Sequence, residues 1–291
     1  MTVVMSSGIL YVVGTPIGNL ADISLRALDT LRSVDLIAAE DTRHTRKLLA
    51  RYDIHNPLIS YHSQNMKFRG PELLKKIQSG QKLALVTDAG TPGISDPGSL
   101  LVRQVLDSGL DVVSIPGPAA LITALVVSGL PTQPFAFLGF PPNRGAGRTR
   151  FFQSYATLPM TVVLYESPQR LKRTLGDLLK FWDNRRIAVA RELTKKFEEV
   201  FRGTIAEAQA YFSQGAKGEF TLVVAAAEAD TEGSEKEESW IEELEHLIRD
   251  EGLSVKESVN VVSQKHGVAR RSVYQAALSI KSRDSSGPSK I

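Results

Sequence analysis

The sequence contains no cysteine. Disulfides, thiolate zinc sites and cysteine nucleophiles are excluded, and the composition suits a reducing, cytoplasmic setting. Long apolar runs are missing as well. No stretch approaches the roughly 18 consecutive apolar residues that a membrane helix needs, so no membrane is expected among its partners. Residues 1–8 lack the basic start and apolar core of a signal peptide. Histidine is scarce, with five residues, and none stands at metal-ligand spacing, so no metal is expected. A phosphate cradle is missing too. Gly93 and Gly98 have P-loop spacing, but Ser99 follows where a lysine is needed, and G-x-G-x-x-G occurs nowhere.

What remains is an ordinary globular chain. Its 291 residues are 42% hydrophobic and 23% charged, enough for two domains and a small third one. The net charge is +3, but it is unevenly spread. Residues 228–238 hold six acids and one lysine, whereas residues 254–291 hold seven Lys or Arg and two acids. An acidic spacer before a basic tail suggests a separate module that meets an anion.

Short apolar strands alternate with helical stretches. Strands are expected at 9–14, 36–39, 83–87 and 111–115, with helices at 25–34, 42–52, from Pro71 to about Gly80, and 98–108. This βαβα rhythm implies a largely parallel sheet with covered faces. A second α/β unit begins near 118–125, with a buried helix at 119–128 and strands at 135–139, 161–165, 186–191 and 220–225. The organisation reads as an N-terminal α/β domain at 1–120, a C-terminal α/β domain at 121–228, an acidic linker at 229–238, a helical module at 239–282 and a disordered tail at 283–291.

Three turns stand at expected strand ends. They are GTPIGN at 14–19, DAGTPGISDPG at 88–98 and IPGPAA at 115–120. Glycine admits backbone shapes closed to other residues, and proline freezes the path beside it. Such turns on the carboxyl ends of parallel strands are where an open α/β sheet binds ligands. Without a P-loop lysine, a dinucleotide or nucleoside-triphosphate site is disfavoured.

Those turns, with AEDTRHTRKLL, YESPQR, RELTKKFEE and KGEFTLVV, occur in an order that resembles the tetrapyrrole methylase family, in its branch acting on small-subunit ribosomal RNA. The resemblance covers residues 8–226 and part of the tail. It implies two α/β domains of tetrapyrrole methylase type with an inter-domain cofactor cleft, plus a C-terminal helix-turn-helix-like module. It also implies an S-adenosylmethionine-dependent enzyme that methylates a cytidine ribose 2′-hydroxyl of 16S ribosomal RNA. Naked RNA and the assembled small ribosomal subunit are both open as substrate, and a homodimer is expected. Cofactor positions carried over are Pro16, Gly90, Thr91, Pro92, Ile94, Ser95, Ala119, Ala120, Glu166 and Leu193. Thr91 departs from the family, where many members have Asp.

Methyl transfer from a sulfonium is an in-line displacement, so the protein mainly supplies alignment. A ribose hydroxyl is a weak nucleophile and gains from a nearby base. Asp88, Glu166, Glu192 and His62 are candidates, and Lys195 or Arg43 would lower the hydroxyl's pKa by charge. Glu166 and Glu192 read at least as well as carboxylates paired with Arg170, Arg191 or Lys195. Asp88 or Asp96 would meet a ligand amino group or ribose hydroxyl.

Arg43, Arg46 and Lys47 fall on adjoining faces of one helix, and a phosphate backbone is their natural partner. Arg270 and Arg271 open the second helix of a helix-turn-helix rhythm, in which Val255, Val259, Val262, Val273, Ala276 and Ala277 face inward around Gly267. Two other readings stay open at this point. One is methylation of a tetrapyrrole carbon. The other is a ligand-sensing α/β core with a DNA-binding tail.

Overall fold

A computed structural model of the protein describes residues 8–96, 98–215, 217–227 and 231–284. Residues up to Ala227 form one compact unit and those from Glu228 a second.

The first unit holds two five-stranded sheets. Sheet one contains β1 (Ile9–Val13), β2 (Leu36–Ala39), β3 (Leu58–Ser60), β4 (Lys82–Val86) and β5 (Asp111–Ile115). Their order is β3-β2-β4-β1-β5, and every pairing is parallel. The helices between them are α1 (Leu25–Ser33), α2 (Thr42–Arg51), α3 (Met66–Gln78) and α4 (Gly98–Asp107). Alternation along β4 separates two cores. Ala84 and Val86 pack with Leu28, Leu31 and Leu48, whereas Leu83 and Leu85 pack with Leu73, Ile77 and Leu101. Burial on both faces explains the continuous apolar character of these strands.

Beyond α5 (Ala120–Val127), sheet two contains β6 (Phe135–Gly139), β7 (Thr161–Glu166), β8 (Arg186–Arg191), β9 (Glu199–Thr204) and β10 (Phe220–Val224), with α6 (Ala146–Ser154), α7 (Pro168–Phe181) and α8 (Ile205–Tyr211). This sheet is mostly antiparallel: β10 runs against β7 and β8, and β8 against β9. One face carries Val162, Leu164, Val189 and Leu222 against Phe152, Leu175 and Trp182. The opposite face carries Val163, Ala188, Ala190 and Val223 against Ala124, Leu125 and Ile17. Ile17, from the loop after β1, therefore sits in the core of the second sheet. Its burial contributes about 2 kcal/mol to holding that loop in place.

Several expectations change. Pro71 lies inside α3, which starts at Met66 under an N-terminal turn made by Asn65. The strands β3 and β9 lack a sequence signal: β3 has three residues, and β9 is an edge strand whose apolar Val200 and Phe201 stand side by side rather than alternating with polar residues. The helix at 119–128 is not wholly buried, because Ile122 and Val126 are exposed beside buried Ala124 and Leu125.

The second unit comprises α9 (Thr231–Arg249), α10 (Val255–His266) and α11 (Arg270–Asp284). The acidic stretch read as a linker is helical from Thr231 onward. Glu and Lys are good helix formers, and Trp240, Leu244 and Leu247 anchor the helix at i, i+4, i+7 spacing in the core with Val262 and Val273. Ser254 and Glu257 form a capping box at α10, and Gly267 ends that helix in the left-handed conformation at φ 66°. Most of the expected disordered tail, 285–291, lies outside the described residues, whereas 283 and 284 belong to α11.

Candidate active site

The carboxyl ends of β4 and β1 are neighbours in sheet one, and the chain leaves them in opposite directions across the sheet. That switch point opens a crevice. Thr15 and Gly90 bridge it with two backbone hydrogen bonds, of 2.9 and 3.1 Å. The Thr15 hydroxyl donates to the Thr87 carbonyl at 3.1 Å. Two rigid turns are thereby locked together with their peptide groups facing outward.

A cavity of about 450 Å³ lies there, walled on the other side by the ends of β7 and β10. Of the residues expected to bind a cofactor, Gly90, Thr91, Ile94, Ser95, Ala119, Ala120, Glu166 and Leu193 line it. Pro16 and Pro92 do not; both are buried within their turns. Ile17 lines the wall next to Pro16. Gly90 has φ +84°, and a Cβ there would lie 3.6 Å from the Ile17 methyl.

The candidate bases separate. Asp88 lines the cavity and accepts the Asp41 N–H at 3.0 Å. Burial pushes its carboxyl upward, against that bond, and nearby Glu40 adds to the rise. Glu166 is 2% exposed and fully engaged. It accepts from the Ser167 N–H at 2.8 Å and the Thr174 hydroxyl at 2.5 Å. Arg170 forms an ion pair with it at 3.2 Å, not aligned as a hydrogen bond. Arg148 continues the network, 2.8 Å from Thr174 and 2.6 Å from Asp177. Glu192 and Lys195 lie outside the cavity wall and pair with each other at 2.9 Å. Burial would raise Glu192, but Lys195 and the Glu219 N–H outweigh it and hold the carboxylate low. His62 also lies outside the wall; its ring accepts the Gln64 N–H at 3.3 Å.

Sequence reading missed Glu40 and Tyr165 and gave Asp96 only a ligand-binding role. Ala39 and Val86 are register partners in β2 and β4, so the residues that follow, Glu40 and Thr87, emerge side by side. The Thr87 hydroxyl donates to Glu40 at 2.6 Å. Burial, with the Glu40 charge adding to it, raises Asp96 to about 6. Glu40, Asp88 and Asp96 thus give one end of the cavity a negative field. Tyr165, whose hydroxyl accepts the Leu121 N–H at 3.2 Å, packs edge-on to Phe137 and forms the apolar wall with Phe140. No sequence signal marks these residues, because only strand register and sheet apposition bring them together.

Bare peptide groups, an apolar wall and clustered carboxylates suit a nucleoside-like ligand that is neutral or cationic. Among the described residues no cluster of His, Asp and Glu has the makings of a metal site.

On the surface, Arg43, Arg46 and Lys47 are exposed on α2, opposite buried Thr45, Leu48 and Leu49. Arg43 is paired with Asp41 at 2.7 Å. In the second unit, Arg270 and Arg271 are exposed in the first turn of α11. No described helix is long and apolar enough to cross a membrane.

The family model described as Tetrapyrrole (Corrin/Porphyrin) Methylases matches residues 9–209. A Synechocystis protein called ribosomal RNA small subunit methyltransferase I is 48% identical over 276 residues, covering 94% of this chain and 99% of its own. A Bacillus subtilis protein of the same name is 44% identical, covering 92% and 94%. Among solved structures, diphthine synthase superposes with TM-score 0.60 at 14% identity, over 75% of this chain and 90% of its own. Cobalt precorrin-4 methyltransferase gives 0.57 at 15% identity, over 75% and 94%. These last two similarities speak for the fold alone. The chain belongs to the tetrapyrrole methylase family, and within it to the group of ribosomal RNA small subunit methyltransferase I proteins.

Proposed function

We propose that the protein transfers a methyl group from S-adenosylmethionine to a cytidine ribose 2′-hydroxyl of small-subunit (16S) ribosomal RNA. One observation carries the reading: the cavity at the switch point offers exposed backbone and a carboxylate cluster, with no lysine-bearing phosphate loop. A donor with a positive sulfur, an amino group and no phosphate fits that set. Gly90, Ala119 and Ala120 would meet its nucleoside through backbone groups, Ile17 and Leu193 would cover its apolar faces, and Asp88 or Asp96 would face its amino group or ribose hydroxyls. When bound, the donor supplies an activated methyl carbon.

The chain's own residues align and deprotonate. Asp88 and Asp96 are the cavity carboxylates best placed to accept the hydroxyl proton, because Glu166 is spent on Thr174, Ser167 and Arg170 and Glu40 holds Thr87. Arg46, Lys47, Arg270 and Arg271 present unburied positive charge for phosphates. A corrin substrate would require neither basic group, and both named relatives act on ribosomal RNA. The exposed apolar pair Ile122 and Val126 on α5 supports a homodimer, and the ribosomal substrate supports a cytoplasmic location.

The experiment is methyl transfer from labelled S-adenosylmethionine to small ribosomal subunits, and to RNA extracted from them. Label in a ribose 2′-O-methyl cytidine is the expected product. Donor binding without transfer to either substrate would overturn the reading.

A further inference from the structure

A second concavity, of about 750 Å³, lies on the same unit. It is bounded by Gly18–Ala21 after β1, by Arg51 and Tyr52 at the end of α2, and by Thr194–Lys196 in the β8–β9 hairpin. It adjoins the donor cavity through the chain itself. Ile17 and Leu193 line the cavity, and the next residue of each loop, Gly18 and Thr194, lines this groove.

The groove floor is built and strained. The Asn19 N–H donates to the Thr194 hydroxyl at 3.0 Å. A Cβ on Gly18 would stand 2.5 Å from Lys195 Cγ and 2.9 Å from the Leu193 carbonyl. Glu192 and Thr194, neither of them glycine, have φ of +51° and +65°. Left-handed backbone at two such residues costs free energy, and this strain concentrates at functional sites.

Charge names the occupant. Lys195 is neutralised by Glu192 at 2.9 Å and Glu219 at 3.0 Å, and Glu198 is used by the Thr194 N–H. Arg51, at the end of α2, and Lys196, in the β8–β9 hairpin, are exposed and have no ion-pair partner among the described residues. Beside Lys196 the Phe197 ring is 68% exposed, with the ammonium 5.6 Å from its centroid. Unpaired cations lining a groove, with an open aromatic face next to them, are the features by which proteins hold single-stranded nucleic acid. Arg46 and Lys47 continue positive charge along the exposed face of α2.

We infer that this groove binds the single-stranded RNA flanking the target ribose, with Arg51 and Lys196 on its phosphates and Phe197 stacked on a base. The inference rests on the RNA reading above and adds the route by which the strand reaches the cavity.

The test measures methyl transfer to small ribosomal subunits lacking the modification, for Arg51→Ala/Lys196→Ala, Phe197→Ala and Phe197→Trp. The double variant should raise KM for subunits about tenfold and reduce the salt slope of log(1/KM) by about 1.4, the contribution of two single-strand phosphates. Phe197→Ala should raise KM by a similar factor, the loss of one stacked base, and Phe197→Trp should restore it. In every variant, kcat and calorimetric S-adenosylmethionine affinity should stay unchanged, which also establishes folding. Normal transfer by the unaltered protein with unmoved KM and salt slope in the variants overturns the groove alone. Absence of transfer by the unaltered protein overturns the RNA reading and the groove with it.

Discussion

Gly14 and Gly117 meet backbone to backbone: a Cβ built on either would stand 2.8 Å from main-chain atoms of the other. The Gly14 N–H also donates to the Ile115 carbonyl at 3.0 Å. The turns after β1 and β5 thus touch without side chains between them, and this contact sets where Ala119 and Ala120 enter the cavity. Gly117→Ala must push the turns apart. It should cost about 1–3 kcal/mol of stability, as overpacking does, and weaken S-adenosylmethionine binding. Urea unfolding and calorimetry measure the two effects, and unchanged values in both would mean the turns yield freely.

Gly90→Ala has a different cause of loss. The new Cβ would have ordinary space, 3.6 Å from Ile17, but φ is +84°. The expected stability cost is about 1–2 kcal/mol from the left-handed backbone. Relaxation of that turn should lower donor affinity at least as much as Gly117→Ala does. Intact affinity would place the donor elsewhere.

Asp96 gives a pH prediction. With its carboxyl raised to about 6, its base form is lost as pH falls through that value. If it takes the hydroxyl proton, kcat/KM should show an acid limb near pH 6, which Asp96→Asn abolishes along with most activity. Stability moves the other way. A carboxyl whose folded pKa is raised holds its proton better when folded, so stability falls as pH rises from the unfolded value of 3.8 towards 6. Asp96→Asn should therefore raise the melting temperature at pH 7.5, by an amount equivalent to roughly 1 kcal/mol after solvent screening. An acid limb that survives in Asp96→Asn would assign it to another group, with Asp88 next.

Thr174→Val removes the hydroxyl that joins Glu166 to Arg148. A buried carboxylate then loses a donor and a buried guanidinium an acceptor. The expected destabilisation is about 2–3 kcal/mol, read by chemical denaturation. A near-neutral result would mean that the Ser167 N–H and Arg170 satisfy Glu166 without the Thr174 hydroxyl.

Arg270→Ala/Arg271→Ala should weaken binding to small ribosomal subunits and flatten its salt dependence, with donor affinity constant. Unchanged subunit affinity would assign the second unit a packing role.

Much of this was legible along the chain. The turns at 14–19, 88–98 and 115–120 announce themselves by composition, since each gathers Gly and Pro directly after an apolar strand. The valines of α10 and α11 mark an inward face through helical spacing, and Val259, Val262 and Val273 are buried. By contrast, β9 offered no pattern, because an edge strand with one partner buries too little to need a run of apolar residues. Glu40 was hidden in the same way. Beside Asp41 and Arg43 it reads as part of a charged helix start, and only the pairing of β2 with β4 turns it toward Thr87.

The sequence by itself determined the turn chemistry, the strand and helix periods and the bareness of the backbone at the strand-end turns, because these depend on residues close in the chain. Tertiary structure decided which carboxylates are tied into ion pairs. Glu166 is committed to Thr174 and Arg170, and Glu192 to Lys195, while Asp88 and Asp96 face the cavity. That division depends on strand register and on the apposition of two sheets, where the partners come from distant segments and each burial changes the cost of charge.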